Sequence, residues 1–188
     1  MGLVKVRRAA EKQTSLIRTA NLRPPAINMK PNKQSAFVLG GFLIASFSAA
    51  AIGGYATAES VRTWYPLLNK PAWNPPAWVF GPAWTLLYTL MSIAAWRVWR
   101  QQDQPGANKA LGLFFAQLGL NALWSVLFFG LQQPGLALVE IVLLWSALAI
   151  IQRDFWRLDH IAGILWIPYL AWVSFATTLN TAIWWLNR

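Results

Sequence analysis

The residue types that carry most enzyme chemistry are scarce in this chain of 188 residues. It has no cysteine and one histidine, His160, which follows Asp159 in a predicted loop. The lack of cysteine excludes disulfides, thiolate metal sites and cysteine nucleophiles. The sequence also lacks an HExxH motif, a phosphate-binding glycine loop, a nucleophile elbow and a clustered carboxylate pair. We therefore expect no metal site, no catalytic group of these classes and a solvated histidine.

Tryptophan is the residue type that could bind a ligand. Six of the thirteen tryptophans and five of the eleven prolines fall between Trp64 and Trp99, which makes this stretch too rigid for a flexible linker. Tryptophans at membrane interfaces are expected in any membrane protein. Six tryptophans are not explained in this way: Trp73, Trp84, Trp124, Trp145, Trp166 and Trp172. Their flat rings and indole N–H donors suit a large planar apolar ligand, held by stacking.

Four polar side chains are predicted to lie within the membrane: Gln117, Asn121, Glu140 and Asn180. An ionised carboxylate at the centre of a span would cost roughly 2.5–3.5 kcal/mol, so Glu140 should face the bundle interior, paired or protonated. Two interpretations stay open, namely hydrogen bonds between helices and a polar corner of a ligand cavity. Because no His or Cys lies at membrane depth, the usual axial ligation of haem is not expected. A porphyrin would be held by shape and stacking.

Five apolar runs position these residues, each near the roughly 20 residues that cross a bilayer as a helix. The chain is 56% hydrophobic and only 12% charged, whereas soluble proteins average about 25% charged. We predict an all-α integral membrane protein, a bundle of five transmembrane helices at about residues 36–57, 77–99, 110–131, 135–152 and 161–185. Most loop lysines and arginines fall on the side of the N-terminus, which is therefore predicted to be cytoplasmic in an inner or plasma membrane.

Residues 1–35 form a basic extension before the predicted membrane domain, residues 36–188. The extension is rich in lysine and arginine and has a single acid, Glu11. This composition is typical of an organelle transit peptide or an interfacial helix, and a disordered basic tail is the alternative. We attribute the net charge of +10 to membrane topology and surface attraction, and expect no nucleic-acid partner.

Small residues mark two helix faces that allow a close approach of helices. Ala45, Ala49 and Gly53 recur at every fourth residue of the first run, and Gly112 and Ala116 do so in the third. Packing within one bundle and a homodimer contact are both compatible with these faces.

Three blocks of the sequence match a known family in order. The first reads Trp64-Tyr65-x-x-Leu68-x-Lys70-Pro71-x-Trp73-x-Pro75-Pro76 and continues as Trp84-x-x-Leu87-Tyr88-x-x-Met91. The second reads Gln117-Leu118-x-Leu120-Asn121-x-x-Trp124 with Phe128-Phe129-Gly130. The third reads Pro168-Tyr169-Leu170-Ala171-Trp172-x-x-Phe175-Ala176-Thr177-Thr178-Leu179-Asn180. Over about residues 37–185 the chain resembles the TspO/MBR family of translocator proteins and tryptophan-rich sensory proteins.

The resemblance implies a five-helix bundle, often a homodimer, with a cavity for tetrapyrroles such as protoporphyrin IX, sterols and synthetic benzodiazepine-site ligands. The residues it implies for this cavity are Trp73, Pro76, Trp84, Asn121, Trp124, Trp172 and Ala176. We add Tyr65 and Glu140 as candidate ligand-binding residues. Glu140 stands where the family usually has an aspartate. The sterol motif of animal members needs a tyrosine before its basic residue, and here the stretch TAIWWLNR supplies Arg188 but no tyrosine. No covalent cofactor is implied.

The leading hypothesis is a membrane receptor or carrier for porphyrins, acting in tetrapyrrole handling or stress response. The alternatives are light-dependent porphyrin breakdown through Trp84 and Trp172, a sterol or lipid transporter, and an assembly partner docking through its tryptophan-rich loop. The host membrane is expected to be a bacterial envelope membrane, or an organelle membrane if the extension is a targeting segment.

We predict that residues 64–76 form a lid shaped by its prolines, and that Trp84 and residues 87–91 form the wall beneath it. Substitutions in the lid should alter ligand entry and affinity. Substitutions at Trp84 should alter what happens to the ligand once it is bound.

Overall fold

The computed structural model describes residues 33–188, in which five long helices follow one another along the chain. They are α1 (Lys33–Ala58), α2 (Phe80–Trp99), α3 (Ala107–Ser125), α4 (Pro134–Leu158) and α5 (His160–Leu186). Each belongs to a segment long and apolar enough to cross a membrane. The predicted all-α fold with five spans is therefore confirmed. The basic extension lies outside the described residues, except at its end, where α1 begins at Lys33.

Short helical turns lie within and beside the lid, residues 64–76. A single α-helical turn (Ser60–Thr63) and a 3₁₀ turn (Tyr65–Leu67) follow α1, and a second 3₁₀ turn (Ala77–Val79) leads into α2. At the same end of the bundle, α3 passes into a π-helical turn, Val126–Gly130. Turns of this kind are rare and are frequently found at functional sites.

Helix α4 extends past its predicted end at residue 152. The sequence becomes charged there, with Arg153 and Arg157 both exposed, but Phe155 and Leu158 stay buried on the opposite face. A helix with one apolar stripe is stable outside the hydrocarbon because its charged side meets water. The charge that limited the predicted span thus marks the end of the apolar segment and not the end of the helix.

Helices α4 and α5 form the most extensive contact in the bundle and are joined by Asp159 alone. A Cβ atom at Gly163 would lie only 2.8 Å from the Cα of Trp156, so glycine is needed where these two helices meet. The guanidinium of Arg97, in the last turn of α2, donates to both carboxylate oxygens of Asp159, at 3.0 and 2.9 Å. One of these oxygens also accepts from the Ala162 N–H at 2.8 Å and caps α5. Asp159 therefore ties α2 to the α4–α5 hairpin.

Helix α1 is fastened to α2 at the middle of both helices and again at the end of the bundle away from the lid. The hydroxyls of Ser92 and Ser46 lie 2.9 Å apart, and the indole N–H of Trp96 donates to the Ser35 carbonyl at 2.9 Å. Between helices there is no water to replace such bonds, so each is costly to break. This end of the bundle is tightly packed.

The two faces of small residues have different environments. On α1, Ala49 and Gly53 are buried, and a Cβ at Gly53 would lie 3.0 Å from the Ser125 hydroxyl oxygen of α3. This face serves packing within the bundle. On α3, Gly112 and Ala116 are exposed, and a Cβ at Gly112 would meet nothing within 4 Å. The described residues leave this α3 face exposed, and the homodimer stays a prediction.

We predict that Arg97→Gln lowers the apparent melting temperature in detergent. It removes two charge-assisted hydrogen bonds from a carboxylate that is mostly buried, a loss of about 1–3 kcal/mol. Arg153→Gln, which changes an exposed arginine of the same charge, is the control and should leave the melting temperature nearly unchanged.

The pH dependence gives a second measurement on the same pair. Burial tends to raise the pKa of Asp159, but hydrogen bonds from Arg97 and Ala162 outweigh it and hold this pKa below the ordinary value. The stabilisation should be fully present above the ordinary carboxyl pKa of about 4 and disappear as the pH falls through the lower folded value. A difference between wild type and Arg97→Gln that persists unchanged in strong acid would contradict this assignment.

Candidate functional site

A cavity of about 760 Å³ lies beneath the lid, at the end of the bundle opposite the Arg97–Asp159 pair. All five long helices and the lid contribute to its walls. Most of the lining side chains are aromatic or aliphatic. The cavity lies where α1, α3 and α5 end and α2 and α4 begin, so its floor is within the apolar spans and its roof is the lid.

The structure brings together seven of the nine residues proposed for a ligand site. They line this one cavity: Tyr65, Pro76, Trp84, Asn121, Trp124, Trp172 and Ala176. Two others do not line it. Trp73 is 50% exposed and packs edge-on against Phe175, with ring centroids 5.8 Å apart. Glu140 is 5% exposed, and its neighbour Ile141 lines the cavity instead.

Aromatic rings form the wall on the α2 and α5 side. Trp84 stacks on Tyr88 with centroids 5.3 Å apart and meets Trp172 edge-on at 6.4 Å. On the α3 side, Trp124 stacks on Phe128 at 5.1 Å. These rings hold one another in place, and the rings that face the cavity offer rigid apolar surface for stacking. Of the predicted wall, Trp84 and Tyr88 line the cavity, whereas Leu87 and Met91 lie buried outside the lining.

A chain of buried hydrogen bonds forms the polar part of the floor. The Tyr88 hydroxyl donates to the amide oxygen of Asn121, and the Asn121 amide donates to the Tyr169 hydroxyl at 3.0 Å. Tyr169 in turn donates to the amide oxygen of Gln117 at 2.9 Å. Asn180 accepts from the indole N–H of Trp124 at 3.0 Å. Asn121 and Asn180 therefore bond across helices and also line the cavity, and the binding of a ligand there stays a prediction.

Glu140 is the exception among the intramembrane polar groups. Within residues 33–188 neither of its carboxylate oxygens has a hydrogen-bond partner. A buried polar atom without a partner costs about 1–3 kcal/mol, and more if it is charged. Removal of this carboxyl should therefore stabilise the bundle, and its proposed part in ligand binding stays a prediction.

The π-helical turn of α3 supports the lid. The Ser60 hydroxyl donates to the Phe129 carbonyl of this turn at 2.7 Å. The ring of Tyr65 packs against Phe129 at 5.7 Å, and Trp64 meets Phe128 edge-on at 5.8 Å. The wider turn thus presents two successive phenylalanines, both of which line the cavity, to the underside of the lid.

Hydrogen bonds within the lid fix its shape. The Tyr65 hydroxyl donates to the side-chain oxygen of Asn74 at 2.8 Å, and the Lys70 ammonium donates to three lid carbonyls. Burial raises the pKa of the Tyr65 phenol, and the bond to Asn74 opposes this rise. Among the lid prolines, Pro66, Pro75 and Pro76 line the cavity and Pro71 does not. The lid is a folded segment whose conformation does not rest on its prolines alone.

A pair of asparagines attaches the lid to the end of α5. The Asn69 N–H donates to the Asn187 side-chain oxygen at 2.9 Å, and the Asn187 amide donates back to the Asn69 carbonyl at 2.9 Å. Both residues are exposed, so water competes for these bonds. The attachment is specific in geometry but readily opened.

Sequence reasoning did not assign many of the residues that line the cavity, and three of them illustrate why. Lys70 and Phe128 stand in the motif blocks but were not assigned to the cavity, and Ser125 carries no motif signal. His160 is exposed and lies edge-on to Trp156, with ring centroids 4.0 Å apart. It begins α5, at the end of the bundle opposite the cavity. Among the described residues no group of His, Cys, Asp and Glu could hold a metal ion.

Comparison with known proteins gives a consistent result. The TspO/MBR family model matches residues 42–186. The chain is 44% identical over 146 residues to the tryptophan-rich protein TspO of Archaeoglobus fulgidus, covering 77% of this chain and 94% of that protein. It is 45% identical over 134 residues to the tryptophan-rich sensory protein of Cereibacter sphaeroides, covering 70% and 83%. It is 39% identical over 147 residues to the translocator protein of Homo sapiens, covering 77% and 86%.

We predict that Glu140→Met raises the free energy of unfolding in detergent by about 1–3 kcal/mol. The substitution removes two buried oxygens without partners and keeps a similar length of side chain. Gln117→Leu is the matched comparison, because it leaves the Tyr169 hydroxyl without its acceptor and should destabilise by a similar amount. A destabilising effect of Glu140→Met would mean that the carboxyl has a partner in the membrane.

We also predict that Asn187→Ala accelerates hydrogen–deuterium exchange of the lid amides, residues 64–76. The substitution removes both bonds to Asn69 and one to the Ile183 carbonyl. Asn108→Ala, an exposed asparagine at the start of α3, is the control. Equal exchange in the two variants would show that this pair does not hold the lid.

Proposed function

The chain belongs to the TspO/MBR family and is an integral multi-pass membrane protein, and from that premise we propose that it is a receptor or carrier for tetrapyrroles such as protoporphyrin IX. The proposed site is the cavity beneath the lid. The observation that carries the proposal is the placement of Trp84, Trp124 and Trp172 around one apolar space. The role we propose is tetrapyrrole handling or stress response in the host membrane.

Size and chemistry of the cavity support a large planar ligand. Its volume of about 760 Å³ falls within the roughly 300–1,000 Å³ of ligand pockets. Flat rings stack on tryptophan and phenylalanine faces, which is more favourable than contact with aliphatic groups of equal area. No histidine is among the lining residues, so we propose that a porphyrin is held by its ring faces and not through a metal.

The names of the relatives fit a binding role without fixing the ligand. One is called a sensory protein and another a translocator protein. A sterol is a second candidate ligand, although the C-terminal stretch lacks the tyrosine of the sterol motif. We further propose a homodimer through the exposed face of α3 that contains Gly112 and Ala116, because close backbone approach favours helix association in lipid.

We predict that Trp84→Phe/Trp172→Phe weakens protoporphyrin IX binding roughly three- to tenfold in detergent or nanodiscs. Each substitution removes part of a stacking surface worth about 0.5–1.5 kcal/mol. Binding is followed by the absorbance of the porphyrin itself, since loss of two tryptophans would distort a fluorescence-quenching signal.

Trp145→Phe/Trp156→Phe is the control, because it removes the same number of tryptophans from outside the cavity. This control should bind like wild type. Equal affinity of all three proteins would contradict the proposed site, and no saturable binding to wild type would contradict the proposed ligand.

A second candidate activity is light-dependent oxidation of bound porphyrin by dioxygen. The edge-on contact of Trp84 with Trp172, both facing the cavity, favours it because the two rings could pass an electron between them. Illumination of the complex in air should then yield a new absorbing product, which the Trp84→Phe/Trp172→Phe protein at saturating porphyrin should not form. Bleaching at the rate of the free dye would indicate a binder without this activity.

A further inference from the structure

We propose that the Lys70 ammonium binds a carboxylate of the ligand at the lid, so that the cavity selects planar acids over neutral ligands of the same shape. This inference rests on the proposed function and adds the chemical class that the site prefers. Lys70 also has a structural role, because its ammonium donates hydrogen bonds to carbonyls of the lid.

Lys70 is the one charged residue among those that line the cavity. In the part of the chain from residue 33 onward, the ion pair that forms is Arg97–Asp159, at the other end of the bundle. No carboxylate of the described residues therefore neutralises Lys70. An ammonium beside an apolar cavity attracts an anion more strongly than it would in water, since the surroundings screen it less.

The ammonium is surrounded by neutral acceptors. It donates to the carbonyls of Leu68 at 2.7 Å, Tyr65 at 2.8 Å and Pro66 at 3.2 Å, and lies 5.1 Å from the centre of the Tyr65 ring. An ammonium has three N–H donors, so these carbonyls occupy all of them. Carbonyl dipoles and a ring face stabilise the charge without cancelling it, and the site remains electropositive.

The bond to the Pro66 carbonyl is the one that a ligand can replace. It is the longest of the three, and Pro66 is an exposed residue at the cavity wall, so water can take over its carbonyl. A carboxylate would accept from the same N–H at about 2.7–2.9 Å in a charge-assisted bond, which is roughly twice as strong. The bonds to Tyr65 and Leu68 stay in place and keep the lid folded.

This arrangement matches an amphiphilic acid. Its rings would lie among Trp84, Trp124 and Trp172, and its carboxylate would point to the lid, next to the aqueous phase. A neutral ligand of equal shape would gain the stacking alone. The two contributions can therefore be separated by masking the acid.

The test compares protoporphyrin IX, a diacid, with its dimethyl ester on wild type, Lys70→Met, Lys70→Arg and Lys109→Met. We expect Lys70→Met to weaken binding of the diacid about ten- to a hundredfold and to leave the ester nearly unchanged. Lys70→Arg should keep most of the preference because the charge remains. Lys109→Met removes the same charge from an exposed position outside the cavity and should alter neither affinity.

Three results would overturn the inference. Equal weakening of diacid and ester in Lys70→Met would show that Lys70 acts only by shaping the lid. Equal affinity of wild type for both compounds would by itself exclude a preference for acids. If wild type bound neither compound, the proposed function would fail together with this inference, whereas tight and equal binding of both would overturn this inference alone.

Discussion

The hydrogen bonds of Asn121 are the interaction on which the rest of the cavity depends. A polar side chain inside a bilayer has no water to bond, so its partners must come from other helices. The side-chain oxygen of Asn121 accepts a hydrogen bond from the Tyr88 hydroxyl of α2, and its amide N–H donates to the Tyr169 hydroxyl of α5. One side chain of α3 thereby fixes the distance to two neighbours. The rings of Tyr88 and Tyr169 are held in turn, and both contact Trp84, with centroids at 5.3 and 6.2 Å.

The two ends of the bundle differ in how closely their helices pack, and the cavity lies at the more open end. At one end the Arg97–Asp159 pair and the bond from Trp96 to the Ser35 carbonyl draw α1, α2 and α5 together. At the other end aromatic residues keep the helices apart, and the lid closes the space from above. Apolar contact between helices gains little in lipid, so helices approach closely only where small residues or polar bonds hold them. A large cavity is therefore compatible with a stable bundle as long as the other end stays fastened.

The sequence was sufficient for the spans and for part of the cavity lining. Motif and residue type together also selected Trp73, which does not line the cavity, and did not select Phe128, which does. Trp84, Asn121 and Trp172 could be assigned because their types are costly or distinctive inside a membrane. Glu140 could be placed on the buried side of α4, but periodicity does not decide whether a buried side chain faces a cavity or the next helix. Ile141 and Leu144 occupy the cavity side. The π-helical turn of α3 was not predicted, because its residues, Val126–Gly130, continue the apolar run of the helix without a signal of their own.

Lys70 shows why the local sequence pattern does not reveal the role of a residue in the lid. In sequence it is a loop lysine, for which solvation is the expected state. In the structure its ammonium donates to the carbonyls of Tyr65, Pro66 and Leu68, and the Tyr65 carbonyl also accepts from the Leu68 N–H at 3.4 Å. Because proline has no N–H, a proline-rich segment has fewer backbone donors of its own. The lysine side chain supplies these bonds from within the lid, and it brings a charge to the mouth of an otherwise uncharged cavity. Folding of the lid and selection of the ligand are therefore linked through a single residue.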